Sequence, residues 1–538
     1  MTQPTMLTLS HIAYTYPSAP EPLFEDVSVS LSRGWTAVLG DNGIGKSTLA
    51  RVAAGLLRPD RGVVAPAPDG LAVAYCPQST DERPGNLDDV AADWSPEAMA
   101  VRQALGIDEG WLYRYDTLSG GEAKRVQIAC AMAARPDVLV LDEPSNHVDE
   151  PTRAAIVAAM RRFRGIGVLI SHDVELIDAT CGRCVMFERR HVDGRNVSVV
   201  TTYQGGYTQA AAQRDANDAR DVDRLNAARR EAARLREAQS ARLAKVQRAD
   251  AMRERGGRRI GAKDNDARYR LHLAKATSLD SGVSRAYAQL DGRVAAAERK
   301  AASLSVAAKR YDGDIWLDAG PSHRRELVRI GPGLIRFGGD GAVEEAAAPC
   351  RTMCPASALH ADGSLWRVEA AAIPAGGVAE PGVAIPLLSL GPRDHVGLVG
   401  PNGLGKSTVV CALLRAAADV PTLVVAQDTG PRDARRALSR LRRLEPGQRA
   451  RVLGAFAQLN ADPERLLAGE SPSPGELRKL LLCLGLLDRP QLIVMDEPTN
   501  HLDLGSKQAL ARVLAGYPGA LVVVSHERWF VEQVTAAA

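Results

Sequence analysis

The chain reads as an α/β protein built from one domain used twice, with an α-helical antiparallel hairpin as linker between the copies. Three observations predict this. A glycine-rich segment, GDNGIGKST from Gly40 to Thr48, returns as GPNGLGKST from Gly400 to Thr408. An apolar run ending in paired acids, VLVLDEPSNHVD from Val138 to Asp149, returns as LIVMDEPTNHLD from Leu492 to Asp503. Between them lies a charged stretch rich in Ala, Arg and Glu. Ser119 to Glu143 and Ser473 to Glu497 are both 24 residues, and Glu143 to His172 and Glu497 to His526 are both 29. Equal spacings of this kind come from duplication, not from chance matches. At 538 residues the chain is too long for one core, and two large domains with a spacer fit it. The expected division is 1–207, 208–311 and 312–538.

Each copy opens on a short apolar run ending in glycine, TAVLG from Thr36 and HVGLVG from His395, as a buried parallel strand entering a loop does. VLVLD and LIVMD read as further buried strands, which places the loops and acids at the carboxyl ends of a parallel sheet. Between the copies, 214–255 has no Pro or Gly and reads as one long helix. A breaker cluster, GGRRIGAKDND from Gly256 to Asp266, follows. Tyr287, Leu290, Val294, Ala297, Ala301, Leu304, Ala308 and Tyr311 then recur at steps of three and four, a heptad seam on a second helix. Paired back to back, the helices put Arg253, Arg255, Arg258, Arg259 and Lys263 at the hairpin tip. Residues 313–392 show no clean periodicity, although they must supply the opening strands of the second copy. That copy is also trimmed: Lys46 to Gln78 spans 32 residues, and Lys406 to Gln427 only 21.

Hydrophobic residues at 45% and charged residues at 24% are ordinary for a globular chain, and aromatics at 4% make the core aliphatic. No apolar run reaches membrane-spanning length and the N-terminus lacks a basic segment before an apolar one, so the expected location is cytoplasmic. Eight cysteines without a regular framework fit reduced thiols. The pairs Cys181/Cys184 and Cys350/Cys354 read as packing residues, because zinc needs four converging ligands. The net charge of +3 is unevenly spread: residues 211–310 hold 24 Arg or Lys against 13 Asp or Glu, a net of +11, which leaves −8 elsewhere. A basic middle favours a phosphate-rich partner.

The loop pattern GxxxxGK[ST] wraps backbone N–H groups around phosphates at a helix N-terminus. Gly40, Asn42, Gly43, Gly45, Lys46, Ser47 and Thr48 form one such candidate site, and Gly400, Asn402, Gly403, Gly405, Lys406, Ser407 and Thr408 the other. Lys46 and Lys406 would neutralise β- and γ-phosphates, and Ser47 and Ser407 would hold Mg²⁺. Asp142 and Asp496 reach the same cation through water. That leaves Glu143 and Glu497 to polarise the attacking water as catalytic bases. His172 and His526, each after a Ser that ends an apolar strand, would sense the γ-phosphate.

LSGGE, from Leu118 to Glu122, resembles the signature motif of ATP-binding cassette proteins, and with Gln78, DEPSNHVD and SHD it completes that family's set in order. The resemblance implies ATP as ligand, with Gln78 and Gln427 joining the Mg²⁺ set and Tyr16 stacking on adenine. It also implies a monomeric head-to-tail sandwich in which Ser119, Gly120 and Gly121 close over the Lys406 site and Ser473 and Gly475 over the Lys46 site. The second signature departs from the pattern: it reads SPSPGE, from Ser471 to Glu476, with Pro474 where the first copy has Gly120. Proline removes an N–H and fixes φ, so the two sites are expected to hydrolyse ATP at unequal rates.

Over nearly its whole length the chain is similar to the ABC-F branch: two cassettes, no membrane domain, the lead-in YQGGY from Tyr203 to Tyr207, and a charged helical linker. That resemblance implies ribosomal RNA as the partner of the basic hairpin. Relatives in the branch either dislodge antibiotics from the ribosome or act in ordinary translation or ribosome assembly, and GGRRIGAKDND does not choose between these. The 40 residues from Gln78 to Leu118 leave no room for a large inserted arm. Three other readings compete. They are an importer-type transporter ATPase, which leaves the hairpin unexplained, a DNA-acting ATPase, which needs a longer coiled coil or zinc insertions, and a nucleotide-gated clamp, which overlaps the favoured reading.

Overall fold

Uninterrupted aliphatic runs bounded by Gly, Pro and acids make the central strands of both copies. In the computed structural model these runs lie side by side as parallel strands. The structure describes all residues except 1–3, 18–21, 147, 193–194, 258–265, 267–268, 270–281, 305, 308–314, 316–318, 345–352, 373–377, 428, 468–470 and 537–538. By packing it divides into two units, one of residues 1–187, 204–207 and 310–538, the other of 188–203 and 208–309.

In the first unit, Gly34–Leu39, Ile166–Ile170, Val138–Asp142 and Val73–Cys76 are neighbours in that order, all parallel. His395–Val399, Ala520–Val524, Leu492–Asp496 and Thr422–Val425 repeat the order. Register repeats too: Asp142 lies opposite Ile170, and Asp496 opposite Val524. Both acids therefore end their strands at one level, beside the loop that follows the first strand of each set.

The copies differ at their flanks. Met6–Tyr14 pairs antiparallel with Phe24–Ser32 and Arg61–Ala65 as a separate three-stranded sheet. In the second copy most flanking strands join the parallel ones in a single nine-stranded sheet, while Val328–Ile330 pairs antiparallel with Leu388–Leu390 apart from it. The unplaced stretch 313–392 supplies them. Met353–Asp362 and Leu365–Ala370 form a hairpin whose second arm runs parallel to His395–Val399, and Val378–Ile385 carries the order on to Gly333–Arg336. No strand matching Arg61–Ala65 lies between Lys406 and Gln427 among the described residues. The chain passes from the Lys406–Ala416 helix to Thr422–Val425 within a few residues, which accounts for the shorter spacing. Phe456 and Phe530 are the largest fully buried side chains, in a core otherwise rich in leucine and valine. Cys181 and Cys184 are buried, and burial pushes both thiols up to about 12. Cys350 lies outside the described residues.

In the second unit one helix runs from Tyr207 to Gly257 and another from Gly282 to Ser303. Arg236 pairs with Glu298, and Gln239 Nε2 donates to Asp291 Oδ1 at 2.9 Å, so the helices run antiparallel. Val294 and Ala297 of the heptad seam are buried. The heptad seam reads on to Tyr311, but the helix ends at Ser303 and Val306–Ala307 pairs antiparallel with His191 and Arg190, while the seam positions Ala308 and Tyr311 lie outside the described residues. Alanine supplies most of the later seam positions and fits helix and strand environments alike, so its spacing carried no helical information there. Arg258, Arg259 and Lys263 lie outside the described residues, as do the side chains of Arg253, Arg255 and Tyr287. Among the described residues no helix is long and apolar enough to cross a membrane.

Candidate functional site

Each glycine loop leads into a helix whose first residue is the lysine, Lys46–Ala53 in one copy and Lys406–Ala416 in the other. Gly45 and Gly405 cap these helices in left-handed backbone, at φ 107° and 99°. A side chain would be strained at both and would also collide. A Cβ at Gly45 would meet Leu23 Cδ2 at 2.9 Å, and one at Gly405 would meet Val383 Cγ2 at 2.4 Å. Each loop thus ends at a helix N-terminus, and first-turn N–H groups there are an arrangement that receives phosphate.

The lysines are buried and curl over their own loops. Lys46 Nζ donates to the Gly40 and Asp41 carbonyls at 2.8 and 3.1 Å. Lys406 Nζ donates to those of Gly400 and Pro401 at 2.7 and 3.3 Å, and to Asn402 Oδ1 at 3.1 Å. Burial lowers the pKa of both.

Around Lys46 the structure gathers residues from both copies into one cavity. Tyr16, Asn42, Gly43, Gly45, Ser47, Thr48, Gln78, Asp142, Glu143 and His172 line it from the first copy. Ser473, Pro474, Gly475, Lys507 and His526 line it from the second. Asn42 seals the junction, its Nδ2 donating to the His501 carbonyl at 3.1 Å and its N–H to Asp503 Oδ2 at 3.4 Å. The Tyr16 hydroxyl lies 2.7 Å from Thr48 Oγ1, and its ring stands edge-on to Tyr14. At 36% exposure that ring is open to a ligand rather than buried in a core.

Glu143 and Glu497 follow their strands in left-handed backbone, at φ 48° and 47°, a conformation that costs a non-glycine residue roughly 1–3 kcal/mol. The Glu143 N–H bonds back to Ile170 and the Glu497 N–H to Val524, both at 2.8 Å. These bonds turn each carboxylate off its strand toward a histidine. His172 Nε2 lies 3.4 Å from Glu143 Oε1, and His526 Nδ1 lies 2.9 Å from Glu497 Oε2. Burial pushes the Glu143 carboxyl up to about 7, against the opposing charges of Lys46 and Lys507. Burial, with the same two cations, holds His172 well below its ordinary value and hence neutral. A buried carboxylate with so high a pKa, beside a neutral imidazole, can take a proton from water.

Both signature serines cap helices. Ser119 and Glu122 form a reciprocal capping box, and Ser473 and Glu476 form the same one. Pro474 occupies the first helical position, as Gly120 does, where proline fits the backbone and the lost N–H has no partner inside the helix. The proline therefore leaves the helix start intact and removes only a donor from the cavity wall. Gly475 is buried, and a Cβ there would meet the His501 carbonyl at 2.8 Å. Helix residues five beyond each serine hold the glutamines. Lys124 Nζ donates to the Gln78 carbonyl at 2.9 Å, and Arg478 donates to that of Gln427. Gln78 and Gln427 each stand two residues past strands in matching register. At the Lys406 site, Asp496 and Glu497 of its own half and Asp149 of the other act electrostatically on the lysine. Ser119, Gly120 and Gly121 stand at the start of the Gly120–Ala133 helix, and Gly121 faces Thr152.

Some residues near the sites were not anticipated. Tyr75 Oη donates to Asp142 Oδ2 at 2.5 Å. Strand register puts Val424 at the matching place in the second copy, so no hydroxyl reaches Asp496 from there. Nothing in the spacing marked Tyr75. Phe337 flanks the second loop, since a Cβ on Gly405 would meet its ring at 2.7 Å. Arg153 and Lys507 share an offset of four residues from Asp149 and Asp503, and the repeat itself could have found them.

The family model described as ABC transporter matches residues 24–146 and 387–500. The tylosin resistance ATP-binding protein TlrC of Streptomyces fradiae is 28% identical over 94% of this chain and 92% of its own length. The ribosome protection protein VmlR of Bacillus subtilis is 22% identical over 98% of this chain and 85% of its own. A protein of Nitratidesulfovibrio vulgaris named as an ABC transporter ATP-binding protein is 34% identical over 33% of this chain and 74% of its own.

Proposed function

Because the chain belongs to the ATP-binding cassette family, with two cassettes in tandem and ABC-F proteins as its whole-length relatives, we propose that it hydrolyses ATP at two composite sites and works on the ribosome. The observation that carries the first half of this reading is the cavity where the Lys46 loop meets Ser473 and Gly475 of the other cassette. In it, loop N–H groups and Lys46 bind the phosphates, and Ser473 and the Gly475 N–H close over them. Glu143 takes the proton from water as its oxygen attacks the γ-phosphorus and the bond to the bridging oxygen of ADP breaks. His172 donates to a γ-phosphate oxygen and marks whether that phosphate is present. The Lys406 loop, Glu497, His526, Ser119 and Gly121 take the same parts at the second site.

Ser47, Gln78 and Asp142 at one site, and Ser407, Gln427 and Asp496 at the other, would hold Mg²⁺. The first three offer oxygen to one cavity, the donor type this hard cation prefers. The ion would neutralise charge building on the β- and γ-phosphates.

The ribosome as partner is supported by the net charge of +11 in 211–310 and by the names of two relatives, one a ribosome protection protein and one a tylosin resistance protein. Ribosomal RNA would attract the basic hairpin through its phosphates. ATP-driven closure of the cassettes would re-aim that hairpin. The test is co-sedimentation of the Glu143→Gln, Glu497→Gln double variant with ribosomes. Association that requires ATP is expected; ATP-independent association, or association with membranes instead, overturns the ribosomal reading.

A further inference from the structure

Two buried cations outside the sequence motifs occupy equivalent places. Arg153 lies on the helix Glu150–Met160 and Lys507 on Leu504–Ala515, each four residues after the aspartate that caps its helix. Each pairs within its own copy to the acid that directly follows the histidine. Arg153 Nε is 2.9 Å from Asp173 Oδ2, and Lys507 Nζ is 2.5 Å from Glu527 Oε1. Each also donates across to the other copy. Lys507 Nζ reaches the His172 carbonyl at 3.1 Å, and Arg153 Nη2 reaches the His526 carbonyl at 3.5 Å.

Chance contacts do not repeat with the same partners in both directions. A buried cation is costly unless its hydrogen-bonding capacity is filled. Lys507 has one acid of its own cassette and Arg153 has two, Asp173 and Glu175. Each cation takes a further acceptor from the other cassette, which is present only with the copies together. The acceptor is the backbone of the histidine, which fixes where the imidazole starts without touching the ring.

We propose that Lys507 and Arg153 are positioning residues that set the opposite cassette's histidine, so that His172 is placed by the second cassette and His526 by the first. This rests on the reading of those histidines as γ-phosphate contacts. Closure is thereby coupled to competence: a site whose partner cassette has drawn back has its phosphate loop but not its placed histidine. The two arms are unequal. Lys507 makes the shorter crossing bond and lines the Lys46 cavity, so the Lys46 site depends on it more than the Lys406 site depends on Arg153.

The test uses the full chain with Glu497→Gln, which leaves the Lys46 site as the working one. Lys507→Met is expected to lower kcat by about 10- to 100-fold, the scale of a misplaced reacting group, with KM for ATP changed less than about threefold. Lys507→Arg, which restores the cation and its donors, should recover most of the loss. Hydrogen exchange with and without ATP gives a readout that needs no turnover. Lys507→Met should abolish ATP-dependent protection around 171–176, in the other cassette, and Arg153→Met should do so around 525–530. The Arg153 arm decides the matter if Lys507→Met does not fold. The proposal is overturned if each substitution loosens only its own cassette, or if the Met and Arg variants lose activity alike. A wild-type chain without ATPase activity would sink the reading of the site, and the exchange pattern would still decide the coupling.

Discussion

The two nucleotide loops are near copies, while the side chains that reach them from elsewhere are not. Both lysines fold onto their loop carbonyls, both glutamates sit in the same left-handed turn, and both signature serines close the same capping box. Yet Asp142 receives a tyrosine hydroxyl where the other copy has Val424, one crossing cation is lysine and the other arginine, and one signature begins its helix with proline. The segments between glutamine and signature differ as well: 79–118 holds nine acids and three arginines, and 428–472 holds six acids and nine arginines. Backbone geometry that cradles phosphate tolerates little change. Divergence has entered through residues that tune it.

The largest effect should come from removing the bases one at a time. Glu143→Gln and Glu497→Gln are each expected to lower single-site turnover by about 10²- to 10⁴-fold, the range of a general base. Their effects on total ATPase activity should be unequal. Equal losses in steady-state assays would break the comparison of the two sites.

Next in size is the hydroxyl on Asp142. Tyr75→Phe in the Glu497→Gln background should raise the Mg²⁺ concentration needed for half-maximal activity by roughly 10-fold, as the loss of a group orienting a metal ligand does. In the Glu143→Gln background the same substitution should leave Mg²⁺ dependence unchanged, and a shift in both backgrounds would deny that Tyr75 serves one site.

Gly405→Ala should destabilise by about 2–3 kcal/mol and Gly45→Ala by about 1–2 kcal/mol, sums of left-handed strain and overpacking. The order follows from the closer collision at Gly405, 2.4 against 2.9 Å, and reversal in denaturant melts would contradict it. The smallest change is Pro474→Gly, which returns the N–H. It should bring the rates of the two sites closer by a few-fold while lowering stability by about 0.5–1 kcal/mol, because glycine frees the unfolded chain.

The central strands and the loops were legible because buried parallel strands read as unbroken aliphatic runs and because the motif was present twice. The hairpin of Met353–Asp362 and Leu365–Ala370 was not, since its composition is Ala-rich and its arms alternate weakly. Its one local signal was Asp362-Gly363, whose glycine takes φ 54° in the tight turn. The heptad seam was over-extended because alanine at regular spacing fits several structures. Of the Lys46 cavity, the loop, the acids and the signature were readable as motifs. Lys507 belongs to no motif, and only its offset from Asp503, matched by that of Arg153 from Asp149, marks it, because a lysine on a helix is usually solvated and only the fold buries this one between cassettes.

Asn42 and His501 are 459 residues apart in the chain, and that separation sets a clock on biosynthesis. At about 5–20 residues per second a ribosome needs roughly 25 to 90 s to pass from one to the other. For that interval the Lys46 loop exists without the second copy's wall, and Asn42 has no His501 carbonyl to bond. A newborn first cassette is thus an open cup until synthesis has passed His501.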